Sequence, residues 1–178
     1  MTNNTVAGKL KVWLTDGPIE RAAVPLCCDL TADGERLLVV DAASCLDPSR
    51  LSRAEASVAK NIEVLRIPAG SEIQAVAASL QAARQRMPGR RVMLAGILDH
   101  LCGRQVLTKD TARALGRIKQ FLGALTGSGL EVTVLCQAAT GLGTRTYLIS
   151  SLCAAADEIR RPESNPQQDV DSSAAAIA

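Results

Sequence analysis

The stretch LLVVDAASCLDPSRL, residues 37–51, carries the reading of the fold. With the preceding Arg36 its first half, RLLVVDA (36–42), reads as a strand, and the apolar run Leu37–Val40 without polar alternation suits burial on both faces. The run stops at Asp41, a small turn follows, and Asp47 directly before Pro48 marks an N-cap and first-turn proline. The helix opened there has Leu51, Ala54 and Val58 on one face. A buried strand that runs into a helix is the repeating unit of a parallel sheet.

Working outward, KLKVWLT (9–15), NIEVLRI (61–67), RVMLAGIL (91–98) and EVTVLCQ (131–137) read as four further strands. Between them, Ser71 caps a helix whose stripe is Ile73, Val76, Ala77, Leu80 and Met87, stopped by Pro88 and Gly89. A second long helix, from Lys109 to Thr126, is expected to turn Ala112, Leu115, Leu122 and Leu125 inward and Arg113 and Arg117 outward. Residues 127–129, Gly-Ser-Gly, end it. This alternation predicts an α/β domain of three layers, a mostly parallel central sheet with helices on both faces and ligand sites at the carboxyl ends of the strands.

The chain of 178 residues is long enough for one such core and too short for two. Residues 1–8 read as a flexible N-terminus, 9–161 as the core domain, and 162–178 as a disordered acidic tail of mixed Pro, Ser, Gln and acid. The net charge of +2 divides into −3 on the tail, from Glu163, Asp169 and Asp171, and +5 on the body. With 47% hydrophobic and 21% charged residues the body is globular. Trp13, Phe121 and Tyr147 are the only aromatics, which excludes a stacking platform of several rings for sugars or single-stranded nucleic acid. His100 is the single histidine and no CxxC pair occurs, so neither a multi-histidine nor a thiolate metal site is expected. Six cysteines in apolar surroundings (Cys27, Cys28, Cys45, Cys102, Cys136 and Cys153) suit a reduced compartment. The sequence lacks a membrane-spanning apolar run and a signal-peptide pattern, and the expectation is a cytoplasmic protein without membrane attachment.

The order of segments resembles the ATPase core of the RecA family, which includes RecA, the archaeal and eukaryotic recombinases and KaiC-like proteins. In residues 37–51, Asp41, Ala42, Leu46, Asp47 and Pro48 match the family's strand, turn and Asp-Pro helix start, and Ala43 stands where the family has its water-activating glutamate. GPIERAAVP at 17–25 lies where the family has its phosphate loop: Gly17 and Pro18 match, Ala23 replaces the phosphate lysine and Val24 the magnesium-binding hydroxyl. In VMLAGI, Gly96 occupies the place of the Walker B aspartate. In VTVLCQ, Gln137 matches the γ-phosphate-sensing glutamine and Cys136 replaces the asparagine before it. The resemblance spans about residues 9–161 and implies a RecA-like domain whose nucleotide site is degenerate, with no catalytic residue, metal or cofactor.

Each departure removes a different interaction: side-chain partners for the β- and γ-phosphates, for magnesium, for the metal's outer shell, and for the attacking water. Hydrolysis is therefore not expected. The resemblance further implies that the segment after Gln137 is a DNA-contacting loop. Here it is AATGLGTRTY, residues 138–147, in which Gly141 and Gly143 are able to expose backbone N–H groups and Arg145 offers a phosphate-pairing fork. The alternative is a tight strand-to-helix connection with Arg145 solvated. Arg84, Arg86, Arg90 and Arg91 form a second basic cluster, read as compensation of a helix C-terminus. Asp41 is read as a turn-stabilising carboxylate, with a cation ligand as the alternative.

These readings converge on a non-catalytic RecA-like protein that works through protein contacts. As an accessory factor in DNA recombination or repair it has a recombinase, a repair factor or a second copy of itself as partner, with at most a weak, salt-sensitive contact to DNA. A regulator that blocks another protein, as cell-division inhibitors built on a RecA-like fold do, is the alternative. A third reading is an enzyme that reuses the strand ends around Cys45, Asp99 and Cys136, against the plainer reading of the cysteines as buried small hydrophobes and of Asp99 and His100 as a loop pair.

Overall fold

The computed structural model describes residues 8–42, 44–53, 59–68, 78, 81–82, 85, 89–98, 109–138 and 143–161. In chain order the elements are β1 (Leu10–Thr15), α1 (Ile19–Thr31), β2 (Leu37–Asp41), α2 (Pro48–Arg53), β3 (Ile62–Arg66), β4 (Arg91–Ala95), α3 (Lys109–Gly127), β5 (Glu131–Gln137), α4 (Thr144–Cys153) and β6 (Glu158–Arg160). The five expected strands are present, joined by β6, and all pair in parallel in the order β3-β2-β4-β5-β1-β6.

Alternate residues along each strand feed two separate cores, because side chains of a strand point to opposite faces. Leu10, Val12 and Leu14 of β1, Val92 and Leu94 of β4, and Val132, Val134 and Cys136 of β5 pack with α3 and α4. Leu37, Val39, Met93, Ala95 and Leu135 pack on the other face with α1 and Leu46. The sheet is thus the middle of three layers, and β2 is buried along its whole length.

α1 fills most of residues 17–25, the segment that resembles the family's phosphate loop, and runs beyond it. Pro18, with φ −57°, precedes its first residue, Glu20 lies in the positive first turn, and Ile19, Ala23, Leu26 and Cys27 make an i, i+4, i+7, i+8 stripe. Pro25 lies inside the helix and hides this periodicity, because an interior proline ordinarily costs about 3 kcal/mol. Burial of the stripe against the sheet offsets that cost. At the other end the Thr31 hydroxyl donates to the Cys27 carbonyl at 2.8 Å, and Gly34, with φ +82°, turns the chain back toward β2.

α3 agrees with its expected span, but its buried stripe is Leu115, Ile118, Leu122 and Leu125, and Ala112 is exposed. Ile118 closes the stripe, and at 100° per residue Ala112 falls outside it. Arg113 and Arg117 are exposed, as expected. α4 begins at Thr144, inside the expected 138–147 loop, and Leu148, Ile149 and Leu152 hold it to the sheet. Gly8, grouped by sequence with the N-terminal leader, donates to Thr126 O at 2.9 Å, and a Cβ there would collide with the Leu130 backbone. The other leader residues, most of the helix opened by Ser71, and the tail lie outside the described residues.

Ion pairs join the start of β4 to α1 and β5. Arg91 donates to the Leu30 carbonyl at 2.7 Å, makes a two-pronged pair with Asp33 at 2.7 and 2.6 Å, and reaches Glu131 at 3.3 Å. Glu131 also pairs with Lys11. Arg91 is therefore tied into the fold, in contrast to its reading as compensation of a helix C-terminus. Arg90 is exposed, and Arg84 and Arg86 lie outside the described residues.

Candidate functional site

The parallel register brings the carboxyl ends of the strands to one edge. Asp41 stands between Arg66 and Ala95, and Thr15 is paired with Gln137. In a doubly covered parallel sheet this edge is where ligands bind.

At the end of β2, Asp41 is 0% exposed and its carboxylate is fully engaged by the turn that follows. It accepts the Cys45 N–H at 2.9 Å, the Leu46 N–H at 3.2 Å and the Cys45 thiol at 3.3 Å. Arg66, at the end of β3, donates to the Leu46 carbonyl at 3.0 Å. The turn is thereby held from both sides, its donors by a carboxylate and its acceptor by a guanidinium. Ser44 takes φ +53° inside it, and Asp47 caps α2 by accepting the Ser49 N–H at 2.8 Å. The turn-stabilising reading of Asp41 is the one these bonds describe. Ala43 lies outside the described residues. Arg66 was missed in the sequence, although a lone cation closing an apolar strand was the available signal.

At the end of β1, three residues, Asp16 to Pro18, separate the strand from α1. The Gly17 N–H donates to Thr15 Oγ1 at 3.3 Å. Pro18 stands at the N-cap without a side-chain cap bond. Ala23 is 0% exposed in the core beneath α1, and Val24 is half-buried on the same helix. Neither lies in the connection that faces the carboxyl edge.

At the end of β4, Gly96 is buried and takes φ +71°, a backbone state that glycine adopts freely and side-chain-bearing residues rarely do. Its N–H reaches Leu135 O at 3.4 Å. At the end of β5, the Gln137 carbonyl accepts from Arg145 at 3.4 Å, so this guanidinium folds back onto the strand end and is half-buried. Gly143 is exposed and extended, with open space where a Cβ would stand, so the fold does not require glycine there. Gly141 lies outside the described residues. A cavity of about 360 Å³ opens beside this corner, lined by Leu14, Ala138, Ile149, Cys153 and Ile159 among others.

Among the described cysteines, Cys27, Cys45 and Cys136 are buried. Cys45 is 3% exposed; burial first, then the charge of Asp41 and the bond to it, push its thiol far above the ordinary range. Burial likewise pushes Cys27 up to about 12. Cys136 is buried in the α3–α4 core. The raised thiol of Cys45 donates to the Asp41 carboxylate at 3.3 Å, an arrangement that holds it in the neutral form. Asp99 and His100 lie outside the described residues. Among the described residues no cluster of three or more His, Cys, Asp or Glu is placed to hold a metal, and no helix is long and apolar enough to cross a membrane.

The architecture matches solved structures of RecA-like ATPase domains. A KaiC-like protein from the hyperthermophilic archaeon Pyrococcus horikoshii superposes with a TM-score of 0.58 at 11% identity, over 90% of this chain and 74% of that one. The RadB recombinase gives 0.58 at 13% identity, over 87% of this chain and 74% of that one. A third solved structure, also an ATPase domain, gives 0.58 at 12% identity, over 92% and 72%. No protein-family model matches the sequence, and no curated protein matches it. The chain has a RecA-like fold, and at these identities the likeness is one of fold.

Proposed function

We propose that this protein is a non-catalytic RecA-like domain that acts through protein contacts, as an accessory factor in DNA recombination or repair. One observation carries the non-catalytic part: the connection from β1 to α1 is three residues long and leads straight into a helix whose Ala23 is sealed in the core. A phosphate loop needs a glycine-rich wrap of backbone N–H groups ending in a lysine and a hydroxyl residue at the helix start. The stretch from Asp16 to Pro25 contains neither side chain. Gly96 at the end of β4 and the fully engaged Asp41 add to this, since neither offers a carboxylate to magnesium.

The recombination setting rests on the RecA-like fold and on the recombinase among its structural neighbours. In this reading the partner is a recombinase or repair factor, or a second copy of the chain, met in the cytoplasm.

Two measurements test the proposal. With magnesium and millimolar ATP the melting temperature should stay unchanged and phosphate release should stay at background. Turnover above background that disappears in Gln137→Ala overturns the non-catalytic reading. A stoichiometric amount of the protein should change strand exchange by the recombinase of its own organism; no effect together with no complex on gel filtration overturns the accessory role.

A further inference from the structure

The outer face of α3 carries a row of cations that takes no part in the core. Lys109, Arg113 and Arg117 follow one another at i, i+4 and i+8, each exposed, and Lys119 is exposed on the flank. At 1.5 Å per residue the row advances about 6 Å per charge. Asp110 stands within the helix one turn before Arg113, and from Thr111 to Leu130 the sequence has no further acidic residue. Between these cations lies Gly116, with Gly123 and Gly127 further along the helix, all exposed and with open space where a Cβ would stand. Internal packing does not require a glycine at any of the three, and each weakens the helix relative to alanine. What they provide is a backbone that another molecule is able to approach closely.

We propose that this face of α3 binds the phosphodiester backbone of nucleic acid, through the Lys109–Arg113–Arg117 row. A membrane-surface helix sets large apolar residues beside its cations, whereas Leu115, Ile118, Leu122 and Leu125 of α3 all face the core. A protein interface is anchored by aromatic or large aliphatic side chains, and the exposed face offers Ala112, Gln120, Ala124 and the glycines instead. Phosphate contact needs only cations at regular spacing and close approach. The site is separate from the β5–α4 connection that holds Arg145, and it stands whether or not the protein hydrolyses ATP.

The test is fluorescence anisotropy of a labelled oligonucleotide, single-stranded in one arm and duplex in the other, titrated with the full chain. Three phosphate contacts give a log–log salt slope of about −3 on duplex, a loss of about 40-fold in affinity from about 50 to about 200 mM salt. Arg113→Ala and Arg117→Ala should each reduce the slope by about 1, and the exposed positions leave the far-UV spectrum unchanged. The double change Arg113→Glu with Arg117→Glu should abolish binding. Three results overturn the proposal: no binding at about 50 mM salt; binding that survives the double change but is lost in Arg145→Ala; or competition by polyglutamate or anionic vesicles as effective as that by unlabelled oligonucleotide.

Discussion

Replacing Asp41 by alanine tests whether the edge of the sheet is built as a turn clamp. In the native fold its buried carboxylate accepts two backbone N–H groups and a thiol, at 2.9, 3.2 and 3.3 Å. Hydrogen bonds to a charged acceptor contribute about 1.5–3 kcal/mol each, and a buried donor left alone costs a similar amount. Losing both backbone bonds, with some relief from entering water, should cost about 3–5 kcal/mol. Asp41→Asn keeps one acceptor oxygen and should cost about 1–2 kcal/mol. For a chain of this length each kcal/mol corresponds to about 2–4 °C, so the alanine variant should melt about 6–20 °C lower, with a matching shift in urea midpoint and an unchanged m-value. If Asp41 were instead poised for a cation, its removal would leave stability unchanged or raise it, as is common when a functional charge is deleted. A melting temperature within about 2 °C of wild type refutes the clamp.

Other consequences follow from the same geometry. Ser44 holds φ +53° in an exposed turn, so Ser44→Gly should stabilise by about 0.5–1 kcal/mol, read as a rise in urea midpoint. Gly96→Asp, which restores a Walker-type carboxylate to the sequence, should destabilise by about 2–4 kcal/mol and yield no ATPase activity in a phosphate-release assay, because it combines a left-handed backbone with a buried, unpaired acid. At low pH, Asp33 is held below its ordinary range by its bond to Arg91. Burial pushes Glu131 up, but Lys11 and Arg91 together more than offset this and leave it low. Both acids therefore stabilise the fold fully above about pH 5, beyond the ordinary range of either group, and lose that contribution as pH falls through their depressed values. Arg91→Met should melt lower than wild type at neutral pH, by less than the Asp41 variant because solvent screens the half-exposed Asp33, and thermal melts should show a shallower acid dependence.

The strands were legible because their signal is local. An apolar run such as Leu37–Val40 can be satisfied only by burial on both faces, and the Asp47-Pro48 pair announces a helix start within two residues. The long period of α3 was equally plain, and only Ala112 was misplaced, at the margin of a stripe whose centre Ile118 fixes. α1 was hidden because Pro25 breaks the local rule and only burial against the sheet restores the balance. β6 was hidden because three residues, Glu158 to Arg160, carry no periodicity and become a strand only by pairing with β1. Much of the candidate site was illegible for a related reason. Gly17, Pro18 and Gly96 were picked out by resemblance to the family's motifs, but the burial of Ala23 and the anchoring of Arg145 on the Gln137 carbonyl are contacts between segments.

Residue types and short spacings were enough for the parallel α/β class, the five main strands and the lack of a lysine between Asp16 and Pro25. Only the tertiary structure decided the strand order, the conversion of the first connection into a helix, and the use of Asp41 as an internal acceptor. Those outcomes depend on which distant segments compete for the same buried surface and the same hydrogen bonds, and that competition is resolved only when the chain is packed.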